Sequence, residues 1–432
     1  MSRKMKPSGI EWIGDIPEEW EVCRVKNYFS NHKIIVGDKS SVYQRLALTL
    51  SGVIKRSKED SSGLQPEAFN GYQILKENEL VFKLIDLENI STSRVGLSPF
   101  IGIVSPAYIV LEGKNVNMKY SEFYFLSMWQ RCIFNQMGDD GVRSSLNSND
   151  LLNTSFVYPP LTEQYQISSY LDTQCAHIDN IIEKTKASIE EYKKLKQAVI
   201  TQAVTKGIRG DRPMKDSGIE WIGEIPEEWE ILKVRYIGTL QNGISKGSEF
   251  FGDGFPFVSY GDIYKNYSLP SEVSGLVQTS DDERNLYSVQ KGDIFFTRTS
   301  ETIEEVGFSS VCFKTIPNAT FAGFVIRLRP YKVNESVLTE YAKYYFRGEQ
   351  IRRYLVKEMN LVTRASLGQG LLNAMTVLIP QKQEQQEIAA YLDKKCAEID
   401  AIITKKQQFI TEMESYKKSL IFECVTGKRE VQ

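Results

Sequence analysis

One stretch of this chain occurs twice, and it limits what the chain can become. Residues 161–207 read LTEQYQISSYLDTQCAHIDNIIEKTKASIEEYKKLKQAVITQAVTKG, and from Lys382 the sequence reads KQEQQEIAAYLDKKCAEIDAIITKKQQFITEMESYKKSLIFECVTGK. Neither copy contains proline, and glycine appears only at the end. Apolar residues recur seven apart in two series, Leu171, Ile178, Tyr192, Val199 and Cys175, Ile182, Ile189, Ala203, with polar interruptions at Thr185 and Lys196. The second copy repeats them as Leu392, Ile399, Met413, Leu420 and Cys396, Ile403, Ile410, Cys424. Stripes at this spacing make long amphipathic helices with a coiled-coil seam. About 44 residues at 1.5 Å each make a rod of roughly 65 Å. Neither helix hides its stripe alone, so the two are expected to pack together, antiparallel.

The duplication extends beyond the helices. Residues 5–21, MKPSGIEWIGDIPEEWE, return as 214–230, MKDSGIEWIGEIPEEWE, identical at 15 of 17 positions and offset by 209. A second offset, 221, aligns the helical stretches and, upstream, Tyr120 with Tyr341, Tyr124 with Tyr345, Phe125 with Phe346, Arg131 with Arg352, and Arg143-Ser-Ser-Leu with Arg364-Ala-Ser-Leu. The second repeat is thus 12 residues longer, with the added residues between about Arg235 and Tyr341. The chain is a tandem duplication. Each unit has an opening motif, a variable body and a long helix. The segments are 1–158 (motif 5–21), 159–213 (central helix and linker), 214–379 (motif 214–230) and 380–432 (C-terminal helix).

Both bodies read as mixed α/β. Strand-like runs lie at 45–50, 79–84, 102–111, 293–298 and 320–328, separated by Gly and Asn punctuation. Helices are expected at 120–134 and 339–356, and a short helix near 149–152 precedes a strand that ends at Pro159, or Pro380 in the second repeat. The prolines mark where the long helices begin. The fold class is α+β: two mixed α/β bodies separated by two long antiparallel coiled-coil helices in a pseudo-twofold tandem repeat. Motifs and helices stayed alike while the bodies diverged, as befits two different recognition surfaces on one frame, with two equivalent docking sites for a partner.

A chain of 432 residues, 41% apolar and 25% charged, is that of an ordinary globular protein of two or three domains. No apolar run approaches a membrane span, and the N-terminal MSRKMKPSGIEWIG lacks a signal-peptide core. The six cysteines are scattered singly, and Cys175 and Cys396 fall at matching helical positions. Reduced core thiols in a cytoplasm are expected. With only His32 and His177, a multi-histidine metal site is excluded and a hydrolase triad is hard to build. His177 has Glu398 as its counterpart, which places it on a helix surface. No GxGxxG or P-loop is present. Tyr158-Pro-Pro-Leu161 superficially resembles the tetrad of DNA amino-methyltransferases but lacks its acceptor side chain and terminal aromatic. Asp139-Asp140 reads as a solvated loop rather than a metal site. Trp12, Trp20, Trp221 and Trp229 alternate with Ile and Pro, which suits a packed clip against a helix end better than a stacking platform for bases.

A net charge of −2 gives no global argument for nucleic acid, so any DNA contact must come from local patches. Residues 343–364 hold Lys343, Arg347, Arg352, Arg353, Lys357 and Arg364 among Tyr344, Tyr345, Phe346 and Tyr354, against Glu349 and Glu358. Such an excess fits phosphate contacts. Arg143 and Arg364 follow turns at matched positions, where an arginine forks to guanine or clamps a phosphate. Lys55, Arg56 and Arg298 are further candidates. For each, a solvated surface is the competing reading.

The duplicated unit resembles the specificity subunit of type I restriction–modification systems. The residues that carry the resemblance are SGIEWIG-x-IPEEWE at 8–21 and 217–230, Pro-x-x-x-Glu-Gln followed by Ile and Tyr-Leu-Asp at 159–172 and 380–393, and Ile-Asp at 178–179 and 399–400. To these are added the terminal segments at 204–207 and 425–427, Gly292-Asp-Ile-Phe-Phe-Thr-Arg298 and Ser105-Pro-Ala-Tyr-Ile-Val-Leu111. The likeness covers essentially the whole chain. It implies two target recognition domains held apart by two helices that act as a ruler, each domain reading one half of a bipartite, asymmetric site on double-stranded DNA. It implies two modification subunits that carry S-adenosylmethionine, dock on the frame and methylate adenine, and two restriction subunits that use ATP and Mg. This chain itself is expected to bind no cofactor and to hold no catalytic residue. Leu171, Ile178, Ile182, Leu392, Ile399 and Ile403 mark the expected partner-docking helices. Two domains at opposite ends of a rod of about 65 Å reach half-sites roughly one DNA turn of 34 Å apart. The alternative is a coiled-coil scaffold whose bodies bind protein rather than DNA.

Overall fold

The computed structural model describes residues 3–60, 67–87, 93–137, 145–220, 222–300, 306–358 and 365–431. Arg143, Arg364, Trp221 and the Asp139-Asp140 pair lie outside them. The chain divides into two compact units, Met1–Lys186 with Gln407–Gln432, and Ala187–Lys406. The first long helix runs Leu161–Lys206 and the second Lys382–Val425. Each unit therefore takes one body and a part of both helices, so the units are drawn differently from segments in sequence order. The reason is the seam: a helical stripe is buried by its partner helix, which comes from the other repeat.

Within each unit the helices run antiparallel. In the first, Lys417 Nζ bonds Asp179 at 2.6 Å and Arg429 reaches Tyr170. In the second, Lys196 Nζ bonds Asp400 at 2.7 Å and Arg209 bonds Glu387 at 2.7 Å. The pairs Asp179–Lys417 and Asp400–Lys196 are one pair repeated at the 221 offset. The first unit's core joins Leu171, Cys175, Ile178 and Ile182 to Leu420, Ile421 and Cys424, and the second joins Ile200, Ala203 and Val204 to Ile388, Leu392 and Cys396. The buried cysteines Cys175 and Cys424 have thiol pKa values pushed up by burial to about 11 and about 12. They are free, as are the other four.

The two bodies share a sheet. In the first, β1 (Phe29–Asn31), β2 (Leu80–Phe82), β3 (Val95–Leu97) and β4 (Ile109–Gly113) lie in the order β1-β4-β2-β3. In the second, β5 (Gly238–Asn242), β6 (Ile294–Thr297), β7 (Ser309–Val311) and β8 (Val325–Pro330) lie in the order β5-β8-β6-β7. All pairings in both are antiparallel. Leu111 faces Leu80 and Asn31, and in the same places Leu328 faces Ile294 and Leu240. The central strands β2 and β6 are buried along their whole length, as short uninterrupted apolar runs between turns should be. Counted between these matched positions, the 12 additional residues are spread over three connections instead of forming one insertion. The second body also holds a three-stranded sheet of Phe251–Val258, Gly275–Val277 and Thr320–Phe321.

Two runs that read as single strands are divided. The run at 102–111 becomes Gly102–Val104 and β4, because Pro106 sits in a turn closed by Tyr108 N–H on the Ser105 carbonyl. The run at 320–328 breaks at Ala322-Gly323-Phe324 before β8. The helix expected at 120–134 is α1 (Met118–Gln130) followed by Ile133–Met137, separated by Cys132 in the left-handed region at φ 57°. Its counterpart is α2 (Thr339–Tyr345) and α3 (Glu349–Glu358), interrupted at Gly348. A short helix α4 (Gln369–Ala374) then matches Ser148–Leu152 of the first body. Among the described residues no helix is long and apolar enough to cross a membrane.

Candidate nucleic-acid interface

The repeated motifs build the frame. Trp20 is fully buried, and its Nε1–H donates to Glu163 at 2.8 Å, while Arg3 bonds the same carboxylate at 2.5 Å. Trp229, Glu384 and Arg212 repeat this at 2.9 and 2.6 Å. The glutamate of each Glu-Gln motif thus clips an opening motif to the start of a long helix. The glutamine beside it, Gln164 or Gln385, is fully buried. Its Oε1 accepts the backbone N–H of Asn117 or Leu338 at the start of α1 or α2, and its Nε2 donates to the carbonyl of Pro159 or Pro380. Tyr120 and Tyr341 close the frame, each bonding the carbonyl of the body's last strand and that of a helix end, Val425 or Val204. Trp12 packs between Tyr124 and Phe422. The three described tryptophans of these motifs, Trp12, Trp20 and Trp229, are packing clips.

Tyr158, of the Tyr-Pro-Pro string, stacks on Tyr28 at 4.0 Å and donates to the Asn115 carbonyl, a packing role. His177 is exposed, as its helical counterpart implied.

The basic candidates do not form one patch. Lys55 is exposed and lies over the Phe100 ring at 4.6 Å, and Arg56 beside it bonds Asp60 at 2.8 Å. Arg353 is exposed and bonds Glu349 one turn back at 2.6 Å. Lys357 is exposed, 3.8 Å from Glu220. Arg352 is half-buried over the Phe308 ring at 4.4 Å. Arg347 must be corrected. It is buried, donates to the carbonyls of Ile263, Tyr264, Asn266 and Ser309 at 2.6–3.0 Å, and lies against Tyr267 and Phe308. Burial pushes its pKa down. Its donors are spent on the fold, so it offers nothing to a phosphate. The residues that mark the expected docking helices are themselves seam residues, covered by the other helix as the stripe pattern implied. Leu171, Ile178, Ile182, Leu392 and Ile399 are buried and Ile403 is half-buried within this chain, so any partner surface on these helices lies on their outer faces.

Arg298 stands apart. It follows β6 directly, and its N–H donates to the Phe324 carbonyl at 2.8 Å while its own carbonyl accepts Leu367 N–H at 2.8 Å. It pairs with no carboxylate among the described residues. Because β5 and β6 run opposite to β8, the ends of β5 and β6 meet the start of β8 at one rim of the sheet. Asn242 ends β5, Phe324 precedes β8, and Gln369 begins α4. Gln369 Nε2 donates to Asn242 Oδ1 at 2.9 Å, and Thr299 Oγ1 meets Ser366 Oγ at 3.4 Å. Phe324 is 60% exposed. Sequence reasoning singled out Arg298 but not Asn242, Phe324 and Gln369, which stand beside it on this rim. Each adjoins a glycine (QNG, AGF, GQG), a turn signal that does not say which turns converge.

The family model for the type I restriction modification DNA specificity domain matches residues 17–191 and 226–412, and the chain belongs to this family, with one such domain in each repeat. Among its relatives is the type I restriction enzyme EcoKI specificity subunit of Escherichia coli, 23% identical, with 97% of this chain and 91% of that protein covered. The MjaVIII specificity subunit of Methanocaldococcus jannaschii is also 23% identical, over 96% of this chain and 94% of that protein. A chain from a solved type I restriction–modification system, described for its complex assembly and conformational transition, superposes with a TM-score of 0.72 at 15% identity, covering 96% of this chain and 99% of that one. The chain is a type I restriction–modification specificity subunit.

Proposed function

We propose that this chain chooses the DNA sequence on which a type I complex acts, each body reading one half of a bipartite, asymmetric duplex site. The long helices set the spacer between the halves. Their outer faces dock two modification subunits, which bring S-adenosylmethionine and methylate adenine in each half. Two restriction subunits, using ATP and Mg, join the same assembly in the cytoplasm. The chain itself selects sequence and performs no chemistry.

One observation carries this reading. Frame positions are identical between repeats: Trp20 and Trp229, Glu163 and Glu384, Gln164 and Gln385, Tyr120 and Tyr341, Asp179 and Asp400, Lys196 and Lys417. By the matched ladders, the rim positions Asn242, Arg298 and Phe324 correspond to Lys33, Leu84 and Ala107, and by the 221 offset Gln369 corresponds to Ser148; no pair is alike. A frame held alike with rims held different is what two distinct half-sites need.

The test is single-molecule sequencing of adenine methylation in cells carrying this chain and its methyltransferase, with and without this gene. A bipartite motif that disappears on deletion is the expected result. A methylation pattern indifferent to deletion, with no salt-dependent DNA affinity in the purified complex, would favour the protein-binding scaffold instead.

A further inference from the structure

We propose that the rim of the second body reads bases directly through Asn242, Gln369, Arg298 and Phe324, the amide pair taking the edge of an adenine and Arg298 that of a neighbouring guanine. The proposal rests on the half-site reading above. It assigns that recognition to four side chains and to a base chemistry.

The amide pair is the starting point. Gln369 Nε2 donates to Asn242 Oδ1, which leaves Asn242 Nδ2 as a donor and Gln369 Oε1 as an acceptor. Turning both amides over leaves the same set, one donor and one acceptor, so the conclusion does not depend on amide orientation. Neither leftover atom is a buried orphan, so both are open to solvent or a ligand. A donor beside an acceptor on paired amides matches adenine, whose major-groove edge offers N7 as acceptor and the N6 amino group as donor. The mutual bond also holds each amide in place, which lowers the entropy lost when a base is bound.

Phe324 and Arg298 flank this pair. Asn242 lies opposite Ile326 in the ladder, two residues beyond Phe324. Arg298 is tied to Phe324 through its backbone N–H, and its Nη1 lies 3.5 Å from the Gly323 carbonyl. Gly323 is fitted against Ser245, where a Cβ would come within 2.3 Å of Oγ, so the Phe324 turn is held close to the end of β5. Phe324, 60% exposed, presents apolar surface on this otherwise polar rim. A thymine methyl group is the apolar feature of the major groove that it fits. Arg298, half-buried and without a carboxylate partner among the described residues, has the fork that matches guanine O6 and N7. Arg, Asn and Gln are side chains able to grip a base edge with two hydrogen bonds, and here all three stand at strand ends and a helix start on one rim. The matched positions in the first body hold a buried Leu84 and an exposed Lys33, so that body cannot read the same bases.

The experiment uses the purified complex of this chain with its methyltransferase, acting on a duplex library randomised at every position of the motif. Gln369→Ala and Asn242→Ala should each lower discrimination roughly 5- to 150-fold at one A·T position of one half, and Arg298→Ala likewise at a neighbouring G·C position. The other half and the spacer stay unchanged. Gln369→Glu should shift the preference at its position towards a cytosine, whose N4 amino group donates, an effect that a structural role would not produce. Unchanged preferences in all four variants, or a uniform drop for every sequence at an unaltered melting temperature, would overturn the assignment. If the unmodified complex showed no bipartite preference at all, the half-site reading would fall first, independently of the rim.

Discussion

Arg347 separates the two readings of the basic stretch at 343–364 most cleanly. Replacing it with methionine keeps most of the stem volume and removes every donor. Four backbone carbonyls, of Ile263, Tyr264, Asn266 and Ser309, then lose their partner at once. A hydrogen bond to a charged donor contributes about 1.5–3 kcal/mol. Because one guanidinium serves all four and water replaces part of the loss, Arg347→Met should cost roughly 4 kcal/mol. For a domain of this size that lowers the melting temperature by about 8–16 °C. Calorimetry of the purified chain measures the shift, and DNA discrimination by the complex is measured well below the transition. The expected result is a large loss of stability with half-site preferences intact in the folded fraction. A melting temperature unchanged within about a degree, together with weakened DNA binding, would refute the structural role and return Arg347 to the phosphate-contact class.

The two tryptophan clips should differ in strength. Glu384 is almost completely buried and Glu163 less so, with side-chain exposures of 2% and 16%, so Glu384→Ala strands Arg212 and Trp229 more deeply than Glu163→Ala strands Arg3 and Trp20. Urea titration should give about 3–5 kcal/mol for Glu384→Ala and clearly less for Glu163→Ala, and equal losses would contradict the burial argument. Asp393 offers a pH signature. Burial alone would raise its pKa, but the hydrogen bonds from Lys343 and Tyr344, with the lysine charge, outweigh burial and hold the carboxyl below its ordinary 3.8. A depressed pKa means stability that is fully present above the unfolded value and lost as pH falls through the folded one. The stability gap between the natural chain and Asp393→Asn should therefore be constant near neutrality and close in acid; a gap that persisted at the lowest pH would exclude the ionic contribution. Four residues inserted near Ser188 lengthen the helix by about 6 Å and turn it by about 40°, so the spacer of the methylated motif should change while both half-sites keep their sequence. Altered half-sites would count against the ruler.

How much of this was legible beforehand differs from residue to residue. The tandem repeat, the extent of both long helices and their seam came straight from periodicity, because a helix repeats its buried face every few residues and that pattern is local. The Glu-Gln motif was visible as a repeat but not as a device: nothing nearby in sequence says that Glu163 holds Trp20 and Arg3, or that Gln164 caps α1. The basic run misled in a physically instructive way. Arg347 and Arg353 are both arginines on one amphipathic stretch, yet one lies in the core on four carbonyls and the other is exposed beside Glu349. Arginine stems pack well inside when carbonyls await the guanidinium, so residue type does not decide the side. Likewise the seam residues were recognisable as a stripe that the other helix covers, while which stretch of that helix lies opposite each one, Leu420 and Cys424 near Leu171 or Ile200 and Ala203 near Leu392, was decided by the tertiary structure.

The sequence by itself determined the duplication, the class of fold and the family likeness, since each is written in repeats or periods along the chain. Tertiary structure alone decided which side chains converge. Asn242, Arg298, Phe324 and Gln369 come from strand ends and a helix start, separated by up to 127 residues, and meet because antiparallel pairing returns the chain to the same rim. Such a meeting has no period and no local spacing, so it exists only once the sheet has formed.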